Sequence, residues 1–232
     1  MTGPVPTVPT VLSVSSQVVY GHVGHGAIVP ALQALGCEVL ALPTVLLAHH
    51  PGHGAPAGRA VPTEELAALA DGLERVGALQ PVDAVLSGYL GMAGSAEVVA
   101  RAVARVRARR PGALFLCDPV IGDDGRVYVR DGVESAIAQH LLPLADVITP
   151  NHFELERLAG RPVAGLAQAC VAARELIARG PRIVVVSSVR AEDDAGARVS
   201  TLAVTAEQAW RVSTPRLARG ATPAGVRRAV RA

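Results

Sequence analysis

This sequence predicts an α/β fold: a mostly parallel central sheet with helices on both faces. Three observations carry that expectation. Apolar runs of strand length alternate with longer segments of helical periodicity through most of the chain. The apolar runs end in polar or small residues at Ser16, Ser87, Asp118, Thr149 and Ser187. In such a sheet those carboxyl ends gather along one edge, where ligands bind. Half of the 232 residues are hydrophobic but only 3% are aromatic, so the core is aliphatic. The length suits one domain, expected over 11–213, after a Pro/Thr-rich lead-in at 1–10 expected to be disordered.

In order, 11–17 reads as a first strand turning polar at its end, and 18–26 as a loop with three glycines and two histidines. Residues 27–35 read as a helix stopped by Gly36, and 38–42 as a second strand. A long loop is expected over 43–59, with His49, His50 and His53, before a helix that starts near Thr63 and runs to about Val76. Residues 83–91 form a strand ending in glycines, and 95–110 a periodic helix with arginines on its wet face. The run Leu114-Phe115-Leu116-Cys117-Asp118-Pro119 is the next strand, followed by the turn Gly122-Asp123-Asp124-Gly125. A short extended piece at 127–129 and a helix over 133–142 follow. Residues 146–151 are a strand running into a helix that Asn151 can cap and Gly160 ends. Another helix over 166–179, a strand over 182–188 and an antiparallel pair at 199–204 and 209–213 complete the pattern.

Composition excludes several classes. No apolar stretch reaches the length of a membrane span. Cys37, Cys117 and Cys170 are widely spaced and odd in number, which points to a reducing, cytoplasmic compartment. All 22 basic residues are Arg, so a phosphate-loop lysine and a Schiff-base lysine are both ruled out. Six of those Arg follow Glu207, leaving 16 against 20 acids over residues 1–207; the basic character belongs to the tail. No basic stripe with interleaved aromatics suggests nucleic-acid binding.

Two stretches carry chemistry. Asp118 and Asp123 flank a proline- and glycine-bearing turn at a strand end, suited to a hard cation carrying a polyphosphate; the plain alternative is a solvated turn. In Thr149-Pro150-Asn151-His152-Phe153-Glu154, Asn151 and Glu154 have the spacing of a capping box, which by itself explains them. Yet Asp118, Asp123 and Glu154 would converge on one edge, and three acids without a lysine need a cation. The histidines at 22, 25, 49, 50 and 53 have ligand-like spacing, but they lie in Gly/Pro-rich loops without cysteine partners. Lining a substrate pocket is the preferred role for them.

Several blocks together resemble pyridoxal kinase, of the ribokinase-like superfamily. They are Ser15-Ser16-Gln17-Val18-Val19-Tyr20-Gly21-His22-Val23-Gly24, Leu86-Ser87-Gly88-Tyr89, Cys117-Asp118-Pro119-Val120-Ile121-Gly122-Asp123, Tyr128-Val129 and Ile148-Thr149-Pro150-Asn151-His152-Phe153-Glu154-Leu155-Glu156. The resemblance implies a three-layer ribokinase-like fold and phosphorylation of the 5′-hydroxyl of pyridoxal, and of pyridoxine and pyridoxamine, by Mg-ATP in vitamin B6 salvage. It places Ser16, Val23, Tyr89 and His50 at the substrate, His50 in a loop that departs from the family's pattern. It places Asp118, Asp123, Tyr128, Thr149, Glu154, Ser187 and Ser188 at ATP, and Asp123, Thr149 and Glu154 at Mg2+, directly or through water. A monovalent cation is a candidate activator, and a homodimer the expected assembly, with no nucleic-acid or membrane partner.

The resemblance fails after Leu217. The family's Gly-Thr-Gly-Asp-like motif, whose aspartate is the base, is replaced by an acid-free, Arg/Ala/Pro-rich stretch. The sequence therefore predicts an atypical tail over 214–232, truncated or out of frame, with the last helices of the fold missing and no catalytic base identified. Two alternatives follow: a hydroxymethylpyrimidine kinase of the same superfamily, and a non-catalytic protein that holds B6 vitamers or nucleotide.

Overall fold

The computed structural model describes residues 8–191 and 197–216. Its centre is a nine-stranded sheet of order β11-β10-β9-β8-β5-β4-β1-β2-β3. The strands are β1 (Thr10–Tyr20), β2 (Glu38–His49), β3 (Gly58–Ala60), β4 (Val82–Ser87), β5 (Leu114–Cys117), β8 (Val147–Ile148), β9 (Ile183–Val189), β10 (Arg198–Val204) and β11 (Ala209–Pro215). A separate two-stranded ribbon joins β6 (Gly122–Asp123) to β7 (Arg126–Val127). Strands β2, β1, β4, β5, β8 and β9 are parallel neighbours, while β3, β10 and β11 add antiparallel edges.

The helices are α1 (His25–Ala34), α2 (Thr63–Arg75), α3 (Ser95–Arg109), α4 (Val133–Ala136), α5 (His152–Ala159) and α6 (Gly165–Ile177). The path from β1 through α1 to β2 moves along the sheet in the opposite direction to that from β4 through α3 to β5. Right-handed crossovers therefore put α1 and α3 on opposite faces. Side chains on the α3 face, among them Leu12, Phe115, Val184 and Leu202, are buried. Their strand neighbours Leu114 and Ile183 stay 48% and 36% exposed, so the face carrying α1 is only partly covered among the described residues.

Local chemistry explains the elements that match expectation. Asn151 accepts the Glu154 N–H at 2.9 Å and Glu154 Oε2 accepts the Asn151 N–H at 2.8 Å, a full capping box. Gly160 ends the helix in the left-handed region at φ 70°. Asp124 and Gly125 both have positive φ, the requirement of a tight turn that reverses β6 into β7.

Four expectations are corrected. The expected loop from Pro43 to Arg59 is strand as far as His49, and β1 continues to Tyr20. The two strands go on pairing past the end of the β1–β4 ladder, Val18 with Leu47 and Tyr20 with His49. Pro43 is tolerated because it lies at a bulge, where the register shifts between Ser15 and Gln17. The helix expected over 133–142 changes to a π segment at Ile137–Leu141 and a 3-10 turn at Leu142–Leu144, with Pro143 inside the turn. Thr10 belongs to β1 rather than to the lead-in, and Thr214 and Pro215 pair with Val199 and Arg198 rather than opening the tail. The rest of the expected lead-in, 1–7, and of the expected tail, 217–232, lies outside the described residues.

The amino ends of the strands are fixed by two acids. Asp83 accepts the Thr10 N–H at 2.8 Å and pairs with Arg110. Asp146 accepts the Phe115 N–H at 2.8 Å, and pairs with Arg107 at 2.7 Å and Arg182 at 3.2 Å. Replacing Asp146 by Ala strands an amide and two guanidinium partners, and should lower unfolding free energy by about 2–3 kcal/mol. Urea titration checks this; a loss below about 1 kcal/mol would mean that Asp146 is no more than a surface pair.

Candidate active site

The carboxyl ends of the parallel strands build two adjoining blocks. The first gathers the ends of β1, β2 and β4. Ser15 and Ser16 lie at the bulge of β1. Gly24 approaches so closely that any side chain there would collide with Ser16, and Gly88 packs likewise on the Ser15 hydroxyl. Tyr89 follows Gly88, and its carbonyl accepts the Thr44 hydroxyl at 2.5 Å. His50 follows β2 and its Nδ1 accepts the Gly52 N–H at 3.0 Å. Gly21 packs beside His50 and Val18. The expected substrate residues Ser16, Val23, Tyr89 and His50 thus lie in segments that meet at this end of the sheet, all four half-buried.

The second block gathers the ends of β5, β8 and β9. Asp118 donates its backbone N–H to Ser87 O at 2.8 Å, which joins the two blocks across β4 and β5. The Thr149 hydroxyl donates to Asp118 Oδ1 at 3.2 Å. Glu154 Oε1 accepts the N–H groups of Ile121 and Gly122 at 2.9 and 3.3 Å. The Ser187 N–H donates to Pro150 O at 3.0 Å. Ser188 takes a positive φ of 54°, rare for a residue with a side chain. Asp123 lies in the β6–β7 ribbon with Oδ1 accepting the Asp124 N–H at 3.0 Å. Tyr128 follows β7, 37% exposed, its N–H donating to Ile121 O at 3.1 Å.

Electrostatics set this block apart. Burial pushes the Asp118 carboxyl up to about 6, against the pull of the Thr149 hydroxyl. Burial pushes Glu154 up to about 8 and the Asp118 charge adds to it, while three backbone N–H donors pull the other way. Among the described residues neither acid pairs with an Arg. Two neighbouring acids held short of counter-charge suit a cation that arrives with its own ligands. Mg2+ does so, keeping waters and phosphate oxygens and needing only one or two carboxylates. Among the described residues no three His, Cys, Asp or Glu side chains close to metal-binding distance. Among the described residues the expected meeting of Asp118, Asp123 and Glu154 as one set of three is therefore not found, and Asp118 with Glu154 fits only a cation that brings its other ligands.

One expectation is overturned and one function is added. His25 does not line a pocket: it is 3% exposed and its Nε2 lies 3.2 Å from Ser13 O and 3.1 Å from Ser13 Oγ. The helix begins there, so the ring turns onto the sheet. Asn151, read from sequence as a cap, also donates from Nδ2 to Gly122 O at 2.7 Å. Its partner lies 29 residues back, beyond any local signal.

The nine-stranded, mostly parallel sheet with acids and hydroxyls at its strand ends, matched by solved kinases of the same fold, is of the ribokinase-like class of small-molecule kinases. Residues 24–224 match the family model described as phosphomethylpyrimidine kinase. The chain is 45% identical over 218 residues to pyridoxal kinase PdxY of Deinococcus radiodurans, covering 91% of this chain and 73% of that protein. It is 45% identical over 210 residues to pyridoxal kinase PdxY of Rubrobacter xylanophilus, covering 89% and 72%. Pyridoxal kinase from Leishmania donovani in complex with ADP and pyridoxamine has a TM-score of 0.84 at 34% identity, over 94% of this chain and 78% of that one. The chain belongs to the pyridoxal kinase family.

The raised carboxyls make a pH prediction. A carboxyl whose folded pKa is raised favours folding below its unfolded pKa and loses that contribution as pH rises through the folded value. Without ligand, the stability contributed by Asp118 should fade from about pH 4 to about pH 6. Asp118→Asn should therefore gain stability relative to wild type across that window. Denaturation midpoints of the two proteins at a series of pH values test it; a constant difference would contradict the burial of Asp118.

Proposed function

We propose that this chain transfers the γ-phosphoryl group of Mg-ATP to the 5′-hydroxyl of pyridoxal, and of pyridoxine and pyridoxamine, in vitamin B6 salvage. The observation that supports it best is the junction of the two blocks. The β1–β4 end carries Ser16 and Tyr89 for the ring, and the adjoining β5–β8–β9 end carries unneutralised acids and hydroxyls for a metal-bound triphosphate. The relatives' names and the vitamer and ADP in the Leishmania structure agree with it.

In this reading Ser16 hydrogen-bonds the pyridine ring while Val23, Tyr89 and His50 border it. Asp118 and Thr149 face the phosphates, Ser187 and Ser188 contact them, and Tyr128 lies over the nucleotide. Asp123, Thr149 and Glu154 hold Mg2+, with water completing its shell; bound there, the metal would neutralise phosphate charge. Glu154, already accepting three N–H groups, acts through water. The protein works as one kinase domain, in the cytoplasm and as a homodimer.

A second reading, binding without turnover, is favoured by one sequence fact: residues 218–228, where the resemblance expects the Gly-Thr-Gly-Asp-like motif and its base, contain no acid. A missing general base typically lowers rates by about 10²–10⁴. The deciding experiment incubates the chain with Mg-ATP and either pyridoxal or hydroxymethylpyrimidine. Pyridoxal 5′-phosphate should form, EDTA should stop it, and Asp118→Asn should slow it by about 10²-fold. Saturable pyridoxal binding with no ATP consumed would establish the second reading, and preference for hydroxymethylpyrimidine would replace the substrate.

A further inference from the structure

His152 is the first residue of α5, and the family resemblance gives it no role. Its ring is 4% exposed and ties together two distant segments. Nε2 lies 3.0 Å from Val163 O, in the connection between α5 and α6. Nδ1 accepts the backbone N–H of Arg190, just beyond β9, at 3.4 Å. One neutral tautomer satisfies both: the proton sits on Nε2 toward the carbonyl, and the lone pair of Nδ1 faces the amide.

The Arg190 contact matters because of what precedes it. Ser187 is held to the β8–α5 segment by its N–H to Pro150 O at 3.0 Å, and Arg190 is held to the same segment by His152. Ser188 lies between the two anchors with a φ of 54°. Backbone in that region persists only where its surroundings fix it on both sides. We propose that His152 is a positioning residue for nucleotide binding: through Nδ1 it fixes the Ser187-Ser188 pair against the segment from Thr149 to Glu154. The role rests on the kinase reading above, which puts the triphosphate between those two segments.

The competing explanation is that the ring only fills space between α5 and β9. Two substitutions separate them. Asn offers an acceptor where Nδ1 stands, and Gln offers a donor where Nε2 stands. Mg-ADP and pyridoxal are titrated calorimetrically into wild type, His152→Asn and His152→Gln, with amide hydrogen exchange followed at Arg190. In His152→Gln, Mg-ADP should bind about tenfold more weakly and Arg190 should exchange faster, as expected for one lost hydrogen bond. In His152→Asn, both readouts should stay within about twofold of wild type. Pyridoxal affinity should change less than about twofold in either variant. Equal weakening in the two variants, or a parallel loss of pyridoxal affinity, overturns the positioning role. Wild type that binds pyridoxal but no Mg-ADP overturns the kinase reading itself, a result distinct from either of those.

Discussion

One buried carboxylate organises the carboxyl ends of β5, β8 and β9. Glu154 closes the capping box of α5 with one oxygen and holds the Ile121 and Gly122 amides with the other. A helix start and the turn after β5 are thereby locked to each other. Asn151 repeats the connection with its own side chain, capping α5 and reaching Gly122 O. The β6–β7 ribbon begins at Gly122, so its position, and that of Asp123, depends on the same two residues. An acid at 4% exposure costs free energy unless its lone pairs find donors; three backbone amides meet part of that demand, and burial still pushes the carboxyl up to about 8.

The two ends of the sheet treat their acids oppositely. At the amino ends, Asp83 and Asp146 each take a strand amide and at least one Arg, which neutralises them on the spot. At the carboxyl ends, Asp118 and Glu154 have hydroxyl and amide donors but no guanidinium among the described residues. Arg was available, since the chain has 22 of them. Partial satisfaction at one end and full neutralisation at the other is the pattern expected when stability is secured away from the site and charge is left at it for a ligand to complete.

Legibility followed the range of the interaction. The Asn151–Glu154 cap spans three residues and could be read directly, as could the Gly160 stop and the turn at Asp124-Gly125. The extension of β2 through Pro43 could not, because the bulge that accommodates a proline is a property of its pairing with β1. His25 was misplaced for the same reason: its glycine-rich neighbours suggest a loop, while the Ser13 contacts that bury it come from the adjacent strand. Asp118 and Thr149, just past β5 and β8, were legible as strand ends because parallel topology brings such ends to one edge, whereas Ser16 and Ser187 lie inside β1 and β9, which run on to Tyr20 and Val189. The partners that orient them, such as Arg190 on His152, lie 38 residues apart and leave no local trace.

The sheet order also explains why the two blocks adjoin. The chain leaves β1 toward β2 on one side and leaves β4 toward β5 on the other, so the connections diverge between β1 and β4. Divergence of that kind is where a parallel sheet takes a ligand outside its strand ends. Ser16 on β1 and Tyr89 after β4 stand on its two sides. One strand further lies Asp118, at the roughly 4.8 Å spacing of neighbouring strands. A flat ring seated there, as proposed, would lie within one or two strand widths of Asp118, a separation set by backbone hydrogen bonding rather than by flexible side chains. In the proposed reading, proximity of hydroxyl and phosphate is thus a consequence of topology, and side chains at the strand ends would choose which ring and which anion occupy it.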